Sequence, residues 1–193
     1  MTRAVASKIS AGLGQPVVVD NRGGAAGNIG TEAGAHAAPD GYTLTVASGV
    51  VFINPSVSKV AYDPIKDFAP IAYLGDSPNV LLTRPASGIE SLKDLIAKAK
   101  AKPNTLTFGT PGLGSVSQLA VELIKVRTGA EFIHVPYSGA GPAAQAAIAG
   151  TTDFASVNIA GLIGHVQSGT LKALVQTGKY KWPDLPDVPT MEE

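Results

Sequence analysis

From Asn79 onward the chain repeats one pattern: an apolar run, a turn of glycine or small polar residues, then an amphipathic or alanine-rich run. NVLLTRP precedes SLKDLIAKAKA, LTFGT precedes SVSQLAVELIKVRTG, FIHVPY precedes GPAAQAAIAG, and DFASVN precedes IAGLIGHVQSG; LKALVQTG closes the series. Strands alternating with helices need crossover connections, and crossovers favour parallel pairing. The pattern predicts an α/β fold with mainly parallel sheets. Local signals agree with it. Ser91 is a helix N-cap with Asp94 at the third helical position, a capping-box variant, and Gly129 ends the helix SVSQLAVELIKVRTG.

The first half is less regular. The stretch MTRAVASKISAGLG reads as a helix, with Val5, Ile9 and Leu13 on one face. QPVVVD (15–20) and YTLTVAS (42–48) read as strands around a helix from about Gly27 to Ala37, a parallel βαβ unit. The proline-punctuated stretch 51–70 reads as irregular, and IAYLG (71–75) as a strand. Two lobes are expected: an incomplete first lobe at 1–80, a second at 81–178, and 179–193 as a segment returning toward the first. Both ends read as cut. The first helix has no strand before it, and Thr190 with Glu193 forms a capping box that announces a further helix.

Charge and cysteine content exclude several classes. Fifteen Lys and Arg balance fifteen Asp and Glu, and aromatics are 6%, so nothing points to nucleic acid. No cysteine is present, which removes thiolate catalysis and cysteine-based zinc sites. No apolar run reaches the roughly 18 residues that span a bilayer, and the first residues lack the apolar core of a signal peptide. His36, His134 and His165 show no metal-ligand spacing. Neither a metal nor a cofactor is expected.

FGTPGLGSVSQLAVELIK (108–125) is the most informative turn. No acidic residue occurs between Gly109 and Glu122. Amides at a helix N-terminus lack intrahelical partners and sit at the positive end of the dipole. Gly109, Gly112 and Gly114 let the backbone turn such amides inward, and Ser115 and Ser117 add hydroxyls. Such a turn suits a carboxylate, phosphate or sulfate; the alternative is a strand-to-helix turn with no ligand. Nucleotide motifs fail here. Ser115 stands where a Walker lysine would be, and Ser117 replaces the third glycine of a dinucleotide fingerprint. Ser115 as a nucleophile would need a base, and GLGSVSQ is not GxSxG.

Other candidates follow the same logic. Asn28, in NRGGAAGNIG, is either a ligand donor or a helix cap. Tyr137, at a strand's carboxyl end, is either a ligand contact or a packing residue. Asn158 and Ser48 occupy similar strand ends. No catalytic set is assembled from these residues.

Several stretches together resemble a known family: VVVDNRGGAAGNIGTEAGAHAAPDGYTL, NPSV, YDPIKDFAPI, FGTPGLGSVSQLA, HVPYSGAGPA and LPDVPT. They are similar to the Bug (TctC-like) extracytoplasmic solute-binding proteins of tripartite tricarboxylate transporters. The resemblance runs from about Val5 to the last residue. It implies a two-lobed periplasmic-binding-protein (Venus flytrap) fold closing around a small carboxylate. It implies a periplasmic protein that works with membrane transporter subunits and is not itself membrane-spanning. In that family one ligand-gripping loop corresponds to 110–117 here, so Thr110, Pro111, Gly112, Gly114, Ser115 and Ser117 are implied ligand contacts. A second loop, with a proline-glycine-glycine sequence, would precede the first residue. Gln118 stands where the family usually has histidine. The competing expectation is an α/β enzyme holding a phosphorylated or acyl substrate at the Gly109–Ser117 turn.

Overall fold

The computed structural model describes residues 2–193, apart from the side chain of residue 26. In chain order the helices are α1 Thr2–Leu13, α2 Asn28–Ala35, α3 Val50–Val57, α4 Leu92–Ala101, α5 Val116–Thr128, α6 Ala140–Ala149 and α7 Ile163–Gln167. The strands are β1 Asn79–Thr83, β2 Thr107–Thr110, β3 Ile133–Pro136, β4 Phe154–Asn158 and β5 Lys172–Gln176. The chain divides into two units, Met1–Pro70 and Ile71–Glu193.

The second unit holds all five strands in one sheet of order β3-β2-β4-β1-β5. β2 is parallel to both β3 and β4, whereas β1 is antiparallel to β4 and β5. Four strands therefore point one way, as the alternation predicts, and β1 is reversed. β1 opens the sheet, so no earlier crossover dictates its direction.

The period-two alternation of strands divides the core between the two faces of this sheet. Leu81 of β1, Phe108 of β2 and Phe154 of β4 pack with Leu95 of α4 and Val121 and Ile124 of α5. Phe108 stacks on Phe154 with ring centroids 5.5 Å apart. On the other face Val80, Leu82, Ala155 and Val157 meet the alanines Ala143, Ala144 and Ala147 of α6. Small side chains let that helix sit close to the strands. Each fully buried large apolar side chain contributes about 1.5–3 kcal/mol.

Gln176, at the end of β5, fixes the closing segment. It is completely buried. Its Nε2 donates to the carbonyls of Leu185 (3.1 Å) and Val188 (2.7 Å), and its Oε1 accepts from the Trp182 amide at 2.8 Å. Its backbone pairs with Pro189 and Met191, making a parallel bridge to Thr190. Thr190 thus extends a sheet edge.

The first unit differs more from expectation. The helix α1 is present, although Met1, part of the expected run, lies outside the described residues. α2 is present too, preceded by a short 3-10 turn at Ala25–Gly27. The stretches 15–20 and 42–48 form no strands, and neither does 71–75 at the start of the second unit. A strand exists by pairing, and these extended stretches have no ladder partner among the described residues. Their apolar side chains stay outward: Val18 is 86%, Tyr42 92% and Tyr73 80% exposed. Thr45 instead runs against α2, where a Cβ on Gly34 would fall 2.0 Å from its Oγ1.

The region read as irregular contains α3, with Pro55 inside it. Proline removes one amide, which orphans the carbonyl four residues earlier. That carbonyl, of Val51, accepts the Tyr62 hydroxyl at 3.1 Å. The helix survives because a buried tyrosine replaces the missing donor.

Candidate functional site

Parallel strands bring their carboxyl ends to one edge of the sheet. Thr110 ends β2, Tyr137 follows β3, and Asn158 ends β4. The turn from Thr110 into α5 leaves this edge.

Thr110 is fully buried. Its Oγ1 lies 2.6 Å from His134 Nε2 and 3.1 Å from the Gly112 carbonyl oxygen, and the Gly112 amide reaches it at 3.3 Å. His134 stacks on Phe108 at 4.8 Å between ring centroids. Burial pushes the His134 pKa below its ordinary value, with Glu122 pulling it up and Lys125 pulling it down. A neutral imidazole, stacked and bonded, therefore holds the root of the turn. Pro111, half-buried, has no amide to offer.

Gly112 and Gly114 take φ of +144° and +73°, values that L side chains rarely adopt. They reverse the chain so that Ser115 can cap α5. Its Oγ accepts from the Gln118 amide at 3.2 Å. The Ser115 amide meets the Gly112 carbonyl at 3.4 Å, and the Gly114 amide donates to Gln118 Oε1 at 2.8 Å. The amides of Leu113, Val116 and Ser117 find no protein acceptor among the described residues. The first turn of α5 has no acidic residue, while Lys125 and Arg127 occupy its last turn. Unpaired donors and an uncompensated dipole leave positive potential at this end.

Ser117 is buried, and its hydroxyl donates to Asn79 Oδ1 at 2.6 Å. Its carbonyl accepts from Ser156 Oγ at 2.8 Å. The hydroxyl is spent on the sheet, so what Ser117 offers the turn is its amide. Tyr137 donates its amide to the Thr110 carbonyl at 2.9 Å. Its ring lies against Gly109, where a Cβ would come within 3.1 Å of Cε2. Asn158 is bound to Ser77 through both ends of its carboxamide and caps the following turn through the Ala160 amide.

Asn28 and Ser48 belong to the first unit. Asn28 Oδ1 accepts from Asn54 Nδ2 at 2.5 Å and from the Tyr62 hydroxyl at 3.2 Å, so its carboxamide joins an internal polar cluster. Ser48 is exposed, with its carbonyl accepting the Val51 amide at 3.1 Å.

Three functional neighbours escape sequence reasoning: His134 behind Thr110, Asn79 behind Ser117, and Gln118 over Gly114. The signal for Gln118 was present, since Ser115 and Gln118 have capping-box spacing. Asn79 and His134 lie 38 and 24 residues away from their partners, and no local pattern marks them.

The Ser115 hydroxyl touches the Gln118 amide, and no imidazole or carboxylate bonds to it among the described residues. His134 is committed to Thr110.

The whole chain, residues 1–193, matches the family described as Tripartite tricarboxylate transporter family receptor, TctC. The chain belongs to this receptor family. It is 39% identical to BugT of Bordetella pertussis over 196 residues, covering 100% of this chain and 60% of BugT. A solved Rhodopseudomonas palustris protein with adipate superposes with a TM-score of 0.91 at 31% identity, covering 98% of this chain and 64% of that one. MatC from the same species, solved with bound malate, gives a TM-score of 0.86 at 33% identity, covering 98% of this chain and 65% of MatC. The fold is that of the periplasmic binding proteins of this TctC type. The chain spans about 60% of BugT's length.

Proposed function

We propose that this chain captures a small carboxylate at the N-terminus of α5 and delivers it, unchanged, to a tripartite tricarboxylate transporter. The carrying observation is the turn itself: unpaired amides at Leu113, Val116 and Ser117 on a helix end without any acid. Hydrogen bonds to an ionised acceptor contribute about 1.5–3 kcal/mol each, so a few converging amides hold a carboxylate without an arginine. Adipate and malate in the related structures support the ligand class. In this reading the first lobe is 1–80 and the second is 81–178, with 179–193 as a return segment. The candidate contacts on the second unit are Thr110, Pro111, Gly112, Gly114, Ser115 and Ser117, with Tyr137 and Asn158 at the neighbouring strand ends, and Ser48 and Asn28 are the candidates on the first unit. The protein works outside the cytoplasm, in the periplasm, beside membrane subunits. No helix among the described residues is long and apolar enough to cross a membrane.

The test is a thermal-shift panel of mono-, di- and tricarboxylates, malate and adipate included. A ligand bound to the folded state alone stabilises it by about 2.7 kcal/mol at a hundredfold excess over Kd. A saturable rise in Tm, with the acid recovered intact, is the expected result. No shift with any acid contradicts the proposal, and consumption of the acid would favour an enzyme.

A further inference from the structure

Gln118 holds the third position of α5. A capping box would return its side chain to the amide of the N-cap residue. It reaches one residue further back, to the Gly114 amide, with Oε1 at 2.8 Å. Its Nε2 finds no acceptor among the described residues. The carboxamide therefore lies over the same helix end that carries the unpaired amides of Leu113, Val116 and Ser117.

A carboxamide oxygen matches one carboxylate oxygen in size and acceptor geometry but has no charge. α4 shows the charged version of the same device. Ser91 caps α4, and Asp94 at its third position accepts from the Glu90 amide at 2.9 Å. Lys98 Nζ holds that carboxylate at 2.7 Å through Oδ1. At α4 the helix end is closed by its own anion. At α5 it is closed by a neutral group with no cation holding it.

The geometry points to Gln118 as a built-in, displaceable competitor. Its carbonyl oxygen keeps the Gly114 amide occupied in the empty protein and gives it up to the charged oxygen of an arriving carboxylate. The inference rests on the carboxylate reading of the α5 turn. An ionised acceptor binds an amide roughly twice as strongly as a neutral one, so the exchange favours the ligand. The cost of displacing Gln118 is then a standing reduction in affinity.

The experiment measures Kd for malate and adipate, together with Tm, in the wild-type chain and in Gln118→Ala and Gln118→Glu. Removing the competitor should tighten binding by about three- to fivefold, the equivalent of one neutral hydrogen bond. It should also lower Tm, because a cap is lost. Glutamate at this position suits both the capping box and the helix dipole, so Gln118→Glu should hold or raise Tm. It should weaken carboxylate binding by about tenfold or more, since like charges then compete for one donor. Affinity and stability moving in opposite directions is the signature of a competitor, and a merely structural cap would move them together. If the wild type binds and Gln118→Ala binds equally or less tightly, or Gln118→Glu leaves Kd unchanged, the competitor role is overturned alone. If the wild type binds neither acid, the carboxylate reading falls, and the competitor role with it.

Discussion

The helices α4 and α5 begin alike and end alike. Each has a serine N-cap, Ser91 or Ser115, accepting from the amide three residues on, and each carries two basic residues in its last turn. They differ in what closes the first turn and in what lies beneath it. α4 supplies Asp94, and its second residue, Lys93, is exposed. α5 supplies neutral Gln118, and its second residue, Ser117, is buried against Asn79. A helix end neutralised by its own carboxylate has no electrostatic need of a ligand. One left positive, anchored to the sheet edge and framed by left-handed glycines, retains that need.

The largest effect should come from Ser117→Ala. It strands the buried Asn79 Oδ1, which costs about 1–3 kcal/mol, and chemical denaturation reads it as a lower midpoint. Lys93→Ala, the matching change in α4, should leave the midpoint nearly unmoved. Next come the caps. Ser91→Ala and Ser115→Ala should each cost about 1 kcal/mol, but Ser115→Ala alone should also weaken malate or adipate binding in titration calorimetry. Equal ligand affinity in both variants would erase the distinction between the two helix ends.

Smaller effects concern protons. The bond from Lys98, then that from the Glu90 amide, holds the Asp94 carboxyl below the usual carboxylate range. Its contribution to stability is therefore present above the unfolded value of about 3.9 and is lost as pH falls through the lower folded value. Asp94→Asn should lower Tm at neutral pH, with the difference shrinking below about pH 4. His134 shows the opposite chemistry. Folded, it binds its proton less readily than it does unfolded. As pH falls through about 6.5 the unfolded chain takes up the proton first, so stability declines until folded His134 also protonates. His134→Phe keeps a ring against Phe108 and removes the titration. It should flatten the Tm-against-pH curve just below about pH 6.5.

Legibility followed the range of the interactions. The second unit was readable because its strands pair within the chain and its turns are written in local residues: Ser91, Gly112, Gly114, Ser115, Gly129. The first unit misled. VVVD and TLTVA have strand composition, but composition does not supply a neighbour to pair with, and Val18 and Tyr42 remain exposed. α3 was hidden by Pro55, since nothing local reveals that Tyr62 replaces the lost donor. At the site, the glycine turn was visible. What Ser117, Asn158 and Asn28 spend their side chains on was not, because Asn79, Ser77 and Asn54 reach them from distant parts of the chain.

The most direct test follows backbone amides by two-dimensional ¹H–¹⁵N NMR while malate or adipate is added. The account predicts saturable shifts at Leu113, Val116 and Ser117, with the amides of Glu90, Leu92 and Lys93 at the start of α4 unmoved. Still resonances around α5, or equal movement at both helix ends, would contradict it.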